Sequence, residues 1–122
     1  MLIKENKTLK MEKYHNVILD IRTKKEYCSG HLCNSINIPT PLPPFTEKTS
    51  AKLFNDLKNF IHKYKIPPNL SIITYCKKGI RAEQAKIFLK QLGMKRVKNI
   101  GGMEIQPLKS AIQNNKIICY CK

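Results

Sequence analysis

Between Leu70 and Leu92 an apolar run ends in a cysteine, turns tightly, and continues as a helical repeat. Leu70 to Tyr75 is rich in β-branched and aromatic residues, which predicts a buried strand. Cys76 to Gly79 forms the turn, and from Arg81 onward Ala82, Ala85, Leu89 and Leu92 recur at helical spacing. A continuous apolar strand followed at once by a helix belongs to parallel sheets covered by helices. In such sheets, ligands bind beyond the carboxyl ends of strands. Cys76 stands at such an end, beside a helix N-terminus. First-turn N–H groups and their partial positive charge, together with Lys77 and Lys78, favour the thiolate, the nucleophilic form of cysteine. A low thiol pKa at Cys76 is therefore expected, and the same loop is suited to an anion.

The remaining chain repeats the strand–helix alternation. Val17 to Asp20 reads as a strand of the parallel-sheet kind. Thr23 is a candidate cap for a short helix over Lys24 to Tyr27, with Glu26 completing a capping box. Leu32 to Ile38 reads as one further strand, and the prolines at 41, 43 and 44 make Thr40 to Lys48 a loop. A helix capped by Thr49 or Ser50 runs to about Tyr64, with Leu53, Phe54, Leu57, Phe60, Ile61 and Tyr64 on one stripe. Arg96 to Ile100 is a strand, Gly101-Gly102 a turn, and Met103 to Leu108 the start of a helix or an irregular segment. Thr8 to Tyr14 suggests a short strand or helical turn, and Ile117 to Cys121 a strand or packed terminus. The pattern predicts an α/β fold with a small, mostly parallel sheet flanked by helices on both faces.

At 122 residues the chain is expected to be one domain, 1–122, with uncertain ends at 1–15 and 110–122. No apolar run is long enough for a bilayer, and Met1 to Lys7 is too short and polar for a secretory signal, so a cytoplasmic location is expected. The net charge of +15 is spread along the chain without a nucleic-acid-binding motif, so no nucleic-acid or membrane partner is expected; the charge suits small anions and acidic protein partners. Five cysteines without a secretion signal argue against a disulfide framework. Cys28, Cys33, Cys119 and Cys121 lack zinc-ligand spacing and read as ordinary apolar or surface cysteines, their roles open; no metal and no cofactor are expected.

Several segments now resemble one family. Val17 to Arg22, Glu26-Tyr27, Gly30-His31-Leu32 and Asn37-Ile38-Pro39 are similar to the N-terminal signature of rhodanese domains. Tyr75 to Ala82 resembles their active-site loop, C-x-x-G-x-R, and Val97 to Gly102 the strand and Gly-Gly turn that follow. The resemblance spans about 17–103 and implies a three-layer rhodanese-like fold. It also implies a sulfurtransferase of the thiosulfate type, moving a sulfane sulfur from thiosulfate or a persulfide donor to a thiol, a protein acceptor or cyanide. Cys76 would be the nucleophile and persulfide carrier. The backbone N–H groups from Lys77 through Lys78, Gly79 and Ile80 to Arg81 would surround the outer sulfur. Lys77 and Lys78 would attract the donor, and Arg81 would bind its sulfonate oxygens or anchor the loop to an acidic side chain. Asp20 and Arg22 match the family's D-x-R: Asp20 would buttress the site and Arg22 pair with a carboxylate such as Glu26, both as structural rather than catalytic groups. His31, in the Gly-His step, reads as structural, and His15 and His62 as solvated. The chain departs from the family in lacking an aromatic residue soon after the Gly-Gly turn, and its part before Val17 is short. Cys28 and Cys33 flank the Gly-His step, where a thiol near Cys76 would resolve a persulfide.

Two rival readings remain. One is a non-turnover sulfur carrier or regulatory docking module. The other is a phosphatase or arsenate reductase of the same fold, but these have a longer C-x5-R loop, whereas the C-x4-R spacing from Cys76 to Arg81 makes a tighter cup that fits one sulfur better than a phosphoryl group.

Overall fold

The structure, a computed structural model, describes residues 16–115 and 117–121. The element expected within Thr8–Tyr14 and the solvated His15 lie outside them. Strand β1 (Asn16–Asp20) leads into helix α1 (Lys24–Cys28), the short strands β2 (His31–Leu32) and β3 (Ile36–Asn37), and the long helix α2 (Glu47–Lys63). Then follow β4 (Ser71–Cys76), α3 (Ile80–Gln91), β5 (Arg96–Gly102), α4 (Leu108–Asn115) and β6 (Ile118–Cys119). A four-stranded sheet has the order β3-β1-β4-β5, with each neighbouring pair parallel. A separate two-stranded sheet pairs β2 with β6 antiparallel.

Side chains alternate across the sheet, so each strand feeds two layers. Val17 and Leu19 of β1 and Ile72 of β4 pack with Leu53, Leu57, Phe60 and Ile61 of α2 and Ala82, Ala85 and Leu89 of α3. Ile18, Tyr75 and Ile100 face the other way and meet Leu32, Leu108, Ile112 and Ile118. Fully burying one such aliphatic side chain contributes about 1.5–3 kcal/mol. These layers are the expected parallel sheet with helices on both faces. Cys76 belongs to the α2/α3 layer, Tyr75 to the opposite one. Among the described residues no helix is long and apolar enough to cross a membrane.

Three expectations are corrected. Leu32 to Ile38 is two strands rather than one: the chain turns at Asn34, which takes a left-handed φ of 69°, so that β2 and β3 join different sheets. Asparagine tolerates that conformation because its short side chain bonds locally. Helix α2 is capped by Thr46 rather than by Thr49 or Ser50; Thr49 is its reciprocal partner, closing a Thr–Thr version of the capping box. The four cysteines outside the loop are disulfide-bonded, Cys28 to Cys121 and Cys33 to Cys119, across separations of 93 and 86 residues. The antiparallel β2–β6 pairing brings them together, with Cys33 N–H donating to Ile117 O (2.9 Å) and Cys121 N–H to Cys28 O (3.4 Å). Nothing in the local spacing announces a pairing created by two strands so distant in sequence.

Candidate active site

Cys76 closes β4 and is 1% exposed. The backbone turns back over it through Gly79, whose φ of 101° is strained for any residue with a Cβ. This turn aims the Gly79 N–H at the sulfur, with N to Sγ at 3.0 Å, and the Ala82 N–H approaches the same atom at 3.4 Å. Ala82 lies one residue beyond the expected set of amides. Its helix is seated by the Thr74 hydroxyl, which donates to Ala82 O at 3.0 Å. Ile80 and Arg81, in the first turn of α3, have no helical acceptor four residues back for their N–H groups. Directed N–H groups in a dry site stabilise negative charge on the sulfur without reorganising.

The β5 end holds the loop from below. Met103 N–H donates to Cys76 O (3.0 Å) and Glu104 N–H to Lys77 O (3.2 Å). Asn99 donates through Nδ2 to Gly79 O (3.2 Å) and accepts the Gly101 N–H on Oδ1 (2.8 Å). Gly102 lies so close beneath the loop that a Cβ there would collide with the Lys77 carbonyl and the Lys78 Cα. Above the sulfur, a pocket of about 260 Å3 is lined by Cys76, Lys77, Lys78, Ile80 and Arg81, with Leu42 and Pro43 from the proline-bearing loop. The Lys77 ammonium is 3.7 Å from the Glu104 carboxylate in an exposed pair, which adds little stability.

Arg81 contributes to the pocket wall, but its guanidinium is turned toward α1. It holds Glu26 through two bonds (Nη1 to Oε1, 2.7 Å; Nη2 to Oε2, 3.1 Å) and donates to Thr40 O at 3.3 Å. The arginine side chain is 3% exposed. The Arg81 hydrogen bond, opposed by burial and aided by the Thr23 backbone N–H, holds the Glu26 carboxyl at about 2. Arg22 pairs with a carboxylate as expected, but the partner is not the suggested Glu26. Two residues along an extended chain return to the same side, so Arg22 instead grips Asp20, with Nη2 at 2.7 Å and Nε at 2.9 Å from its oxygens, and donates to Gly30 O at 2.7 Å.

A family model, the Rhodanese-like domain, matches residues 4–105. The chain belongs to the rhodanese-like domain family. It is 34% identical over 110 residues to a tRNA uridine(34) hydroxylase of Buchnera aphidicola subsp. Baizongia pistaciae, covering 90% of this chain and 32% of that protein. It thus spans about a third of the length of that relative. It is also 29% identical over 86 residues to a sulfurtransferase of Allochromatium vinosum, covering 70% of this chain and 65% of that protein. Among solved structures, a rhodanese with anions from E. coli superposes with a TM-score of 0.57 at 26% identity, covering 73% of this chain and 88% of that one. A rhodanese-like domain from Anabaena shares the fold, with a TM-score of 0.60 at 17% identity over 95% of this chain and 99% of that one.

Behind the rhodanese-like loop, on the opposite side of the sheet, lies a buried polar network. Tyr75 donates to Asp20 Oδ2 at 2.6 Å, receives the Leu32 N–H at 3.0 Å, and meets the Ser35 hydroxyl at 3.2 Å. Burial and the Asp20 carboxylate push the Tyr75 phenol up, so it remains a neutral donor. Asp20 thereby supports the residue next to Cys76 from below rather than facing the pocket. His31 belongs to this rear side as well: it is buried, stacks on Tyr27 with ring centroids 3.7 Å apart, and its Nδ1 lies 2.8 Å from Tyr27 O. His62 is exposed on α2. The four paired cysteines lie at the end of α1 and beside β2 and β6, and Cys76 is the free cysteine. Among the described residues no group of three or more His, Cys, Asp or Glu side chains could hold a metal ion. Asn99, Thr74 and Ala82 carry no sequence signal beyond their places beside Gly101 and in the loop; the role of Asn99 comes from the register of β5 on β4, and those of Thr74 and Ala82 from the turn that folds α3 back onto the end of β4.

Proposed function

We propose that this rhodanese-like chain is a sulfurtransferase whose Cys76 accepts a sulfane sulfur from thiosulfate or a persulfide and passes it to a thiol or cyanide. The observation that carries this reading is the pair of amides, Gly79 N–H and Ala82 N–H, directed at the sulfur of the one unpaired cysteine, at the floor of a pocket flanked by lysines. In the first step the Cys76 thiolate attacks the outer sulfur of thiosulfate; the sulfur–sulfur bond breaks, sulfite leaves with the electron pair, and Cys76 holds a persulfide. An acceptor nucleophile then attacks the outer sulfur and the thiolate of Cys76 departs. Lys77 and Lys78 draw the anionic donor inward, more strongly at low salt. Arg81 is committed to Glu26, so its part is to fix the loop.

Intact-protein mass spectrometry after thiosulfate treatment tests this. The expected result is a gain of one sulfur atom, removed by cyanide and absent in Cys76→Ser; a wild-type chain that gains nothing overturns the reading. Continuous turnover with thiosulfate and cyanide supports an enzyme, whereas a single loading without turnover supports a carrier.

A second reading follows from the match across nine-tenths of this chain to a tRNA uridine(34) hydroxylase, and from the net charge of +15, which attracts phosphate backbones. In this reading the chain is a rhodanese-like module of tRNA modification that acts through Cys76 at uridine 34, which departs from the expectation of no nucleic-acid partner. Expression in cells lacking their own hydroxylase, followed by nucleoside analysis of tRNA, is expected to restore hydroxylated uridine with the wild-type chain and not with Cys76→Ser. Equal levels from both proteins refute this reading.

A further inference from the structure

A second cavity, of about 450 Å3, lies between α1 and the segment that follows β5. Cys76 does not line it, but three cations do: Arg22 from the turn between β1 and α1, Lys25 from α1, and Lys77 from the loop after β4. Arg22 is 7% exposed. Its Nε and Nη2 are occupied by Asp20 and Gly30 O, while its Nη1 has no partner among the described residues. No fully enclosed side-chain nitrogen or oxygen is left unpaired there, so Nη1 meets open space, and Arg22 reaches that space at this cavity. Lys25 is exposed and pairs with no carboxylate among the described residues. The Lys77 ammonium has only its long, exposed pair with Glu104 at 3.7 Å. Of the two carboxylates that also line the cavity, Glu26 is already held by Arg81 and the Thr23 N–H, and Glu104 is the exposed partner of Lys77.

We propose that this cavity binds a phosphate group, with Arg22 Nη1, Lys25 and Lys77 as its donors. A guanidinium with a free nitrogen and two ammonium groups converge on one space from three separate elements. A planar carboxylate brings a single charge and few oxygens. A tetrahedral phosphate presents more oxygens and more charge, so it can meet all three donors at once. The Arg22 donor is fixed in advance, because Asp20 and Gly30 O hold its guanidinium in place, so little freedom is lost when an anion arrives. The cavity is larger than a phosphate alone, which leaves room for part of the group that carries it. The proposal does not depend on the chemistry assigned to Cys76.

The test is a titration of the full chain with inorganic phosphate at constant ionic strength, followed amide by amide by NMR. Saturable shifts are expected at Ser29, Gly30 and Glu104, the flank of this cavity. Lys25→Gln is expected to weaken binding about fivefold. Glu104→Gln is expected to strengthen it, since it frees Lys77 and removes a like charge from the anion's side. Arg22 is left in place, because removing it would strand the buried Asp20. Lys58→Gln, which deletes an exposed charge on α2, is expected to change little. Equal losses from Lys25→Gln and Lys58→Gln mean a diffuse response to the net charge and overturn the site. Shifts confined to Lys78, Gly79 and Ile80, which mark the pocket over Cys76, overturn it as well. Uridine 5′-monophosphate and a short single-stranded RNA without terminal phosphates then identify the source. Saturation of the same amides by the nucleotide supports a phosphorylated small molecule, and saturation by the RNA supports a backbone phosphate. A response to inorganic phosphate alone marks an adventitious ion only and overturns the proposal.

Discussion

Alanine at Gly102 is expected to reduce sulfur loading of Cys76 about a hundredfold while the sheet stays folded. The added methyl group would meet the Lys77 carbonyl and the Lys78 Cα, both backbone atoms that no rotamer change can move aside. Lys77 O is also bound by Glu104 N–H and Cys76 O by Met103 N–H, so the loop cannot lift locally without breaking bonds on both sides. A displacement of about 1 Å at a reacting centre is enough for a loss of this order. Gly101→Ala is the control. Its φ of 97° disfavours alanine, but a Cβ there meets nothing within 4 Å, so the cost is backbone strain of about 1 kcal/mol and the sulfur cup survives. Loading rates by mass spectrometry, with circular dichroism to confirm folding, separate the two; a Gly102→Ala chain that loads within twofold of wild type refutes the account of the loop floor.

Glu26→Ala is expected to cost about 3 kcal/mol and to lower the melting temperature by roughly 10–15 °C. It leaves the Arg81 guanidinium, 3% exposed, without its carboxylate beneath the active-site loop. Thr23 loses its reciprocal partner as well, since the Glu26 side chain accepts the Thr23 N–H at 2.9 Å. The dependence on acid gives an independent signature. Glu26 titrates at about 2 in the folded chain against an ordinary 4.5, so it binds its proton less readily folded than unfolded. Its contribution is complete above pH 4.5 and fades as pH falls toward 2. The stability gap between wild type and Glu26→Gln is therefore expected to narrow over that interval, as read by denaturant melts at each pH. A gap that stays constant there means that the ion pair is not the source of the difference.

The strand–loop–helix around Cys76 was legible because three local signals agree. An apolar run, a glycine able to take positive φ and a helical repeat leave little freedom in where the sulfur points. The capping box of Thr23 and Glu26 was legible for the same reason, being contained within four residues. The partner of Arg81 was not. Arg81 and Glu26 are 55 positions apart, and only the packing of α1 against the loop decides that Glu26 serves Arg81 while Asp20 serves Arg22. Asn99 was missed on similar grounds, since its place under Gly79 depends on how β5 is registered on β4. The break between Leu32 and Ile38 was hidden because the positions on both sides of Asn34 are equally suited to strands.

The two cystine bridges nest, and their effects on the unfolded chain do not add. Once Cys33 and Cys119 are joined, a ring spanning a separation of 86 residues is closed, which restricts the denatured ensemble by roughly 4.6 kcal/mol in a chain-entropy picture. The outer bridge then closes only the short steps from Cys28 to Cys33 and from Cys119 to Cys121, so it removes far less disorder. Either bridge alone preserves most of the restraint. The large ring opens only when both are reduced, which makes the tie between the β6 segment and α1 a redundant one.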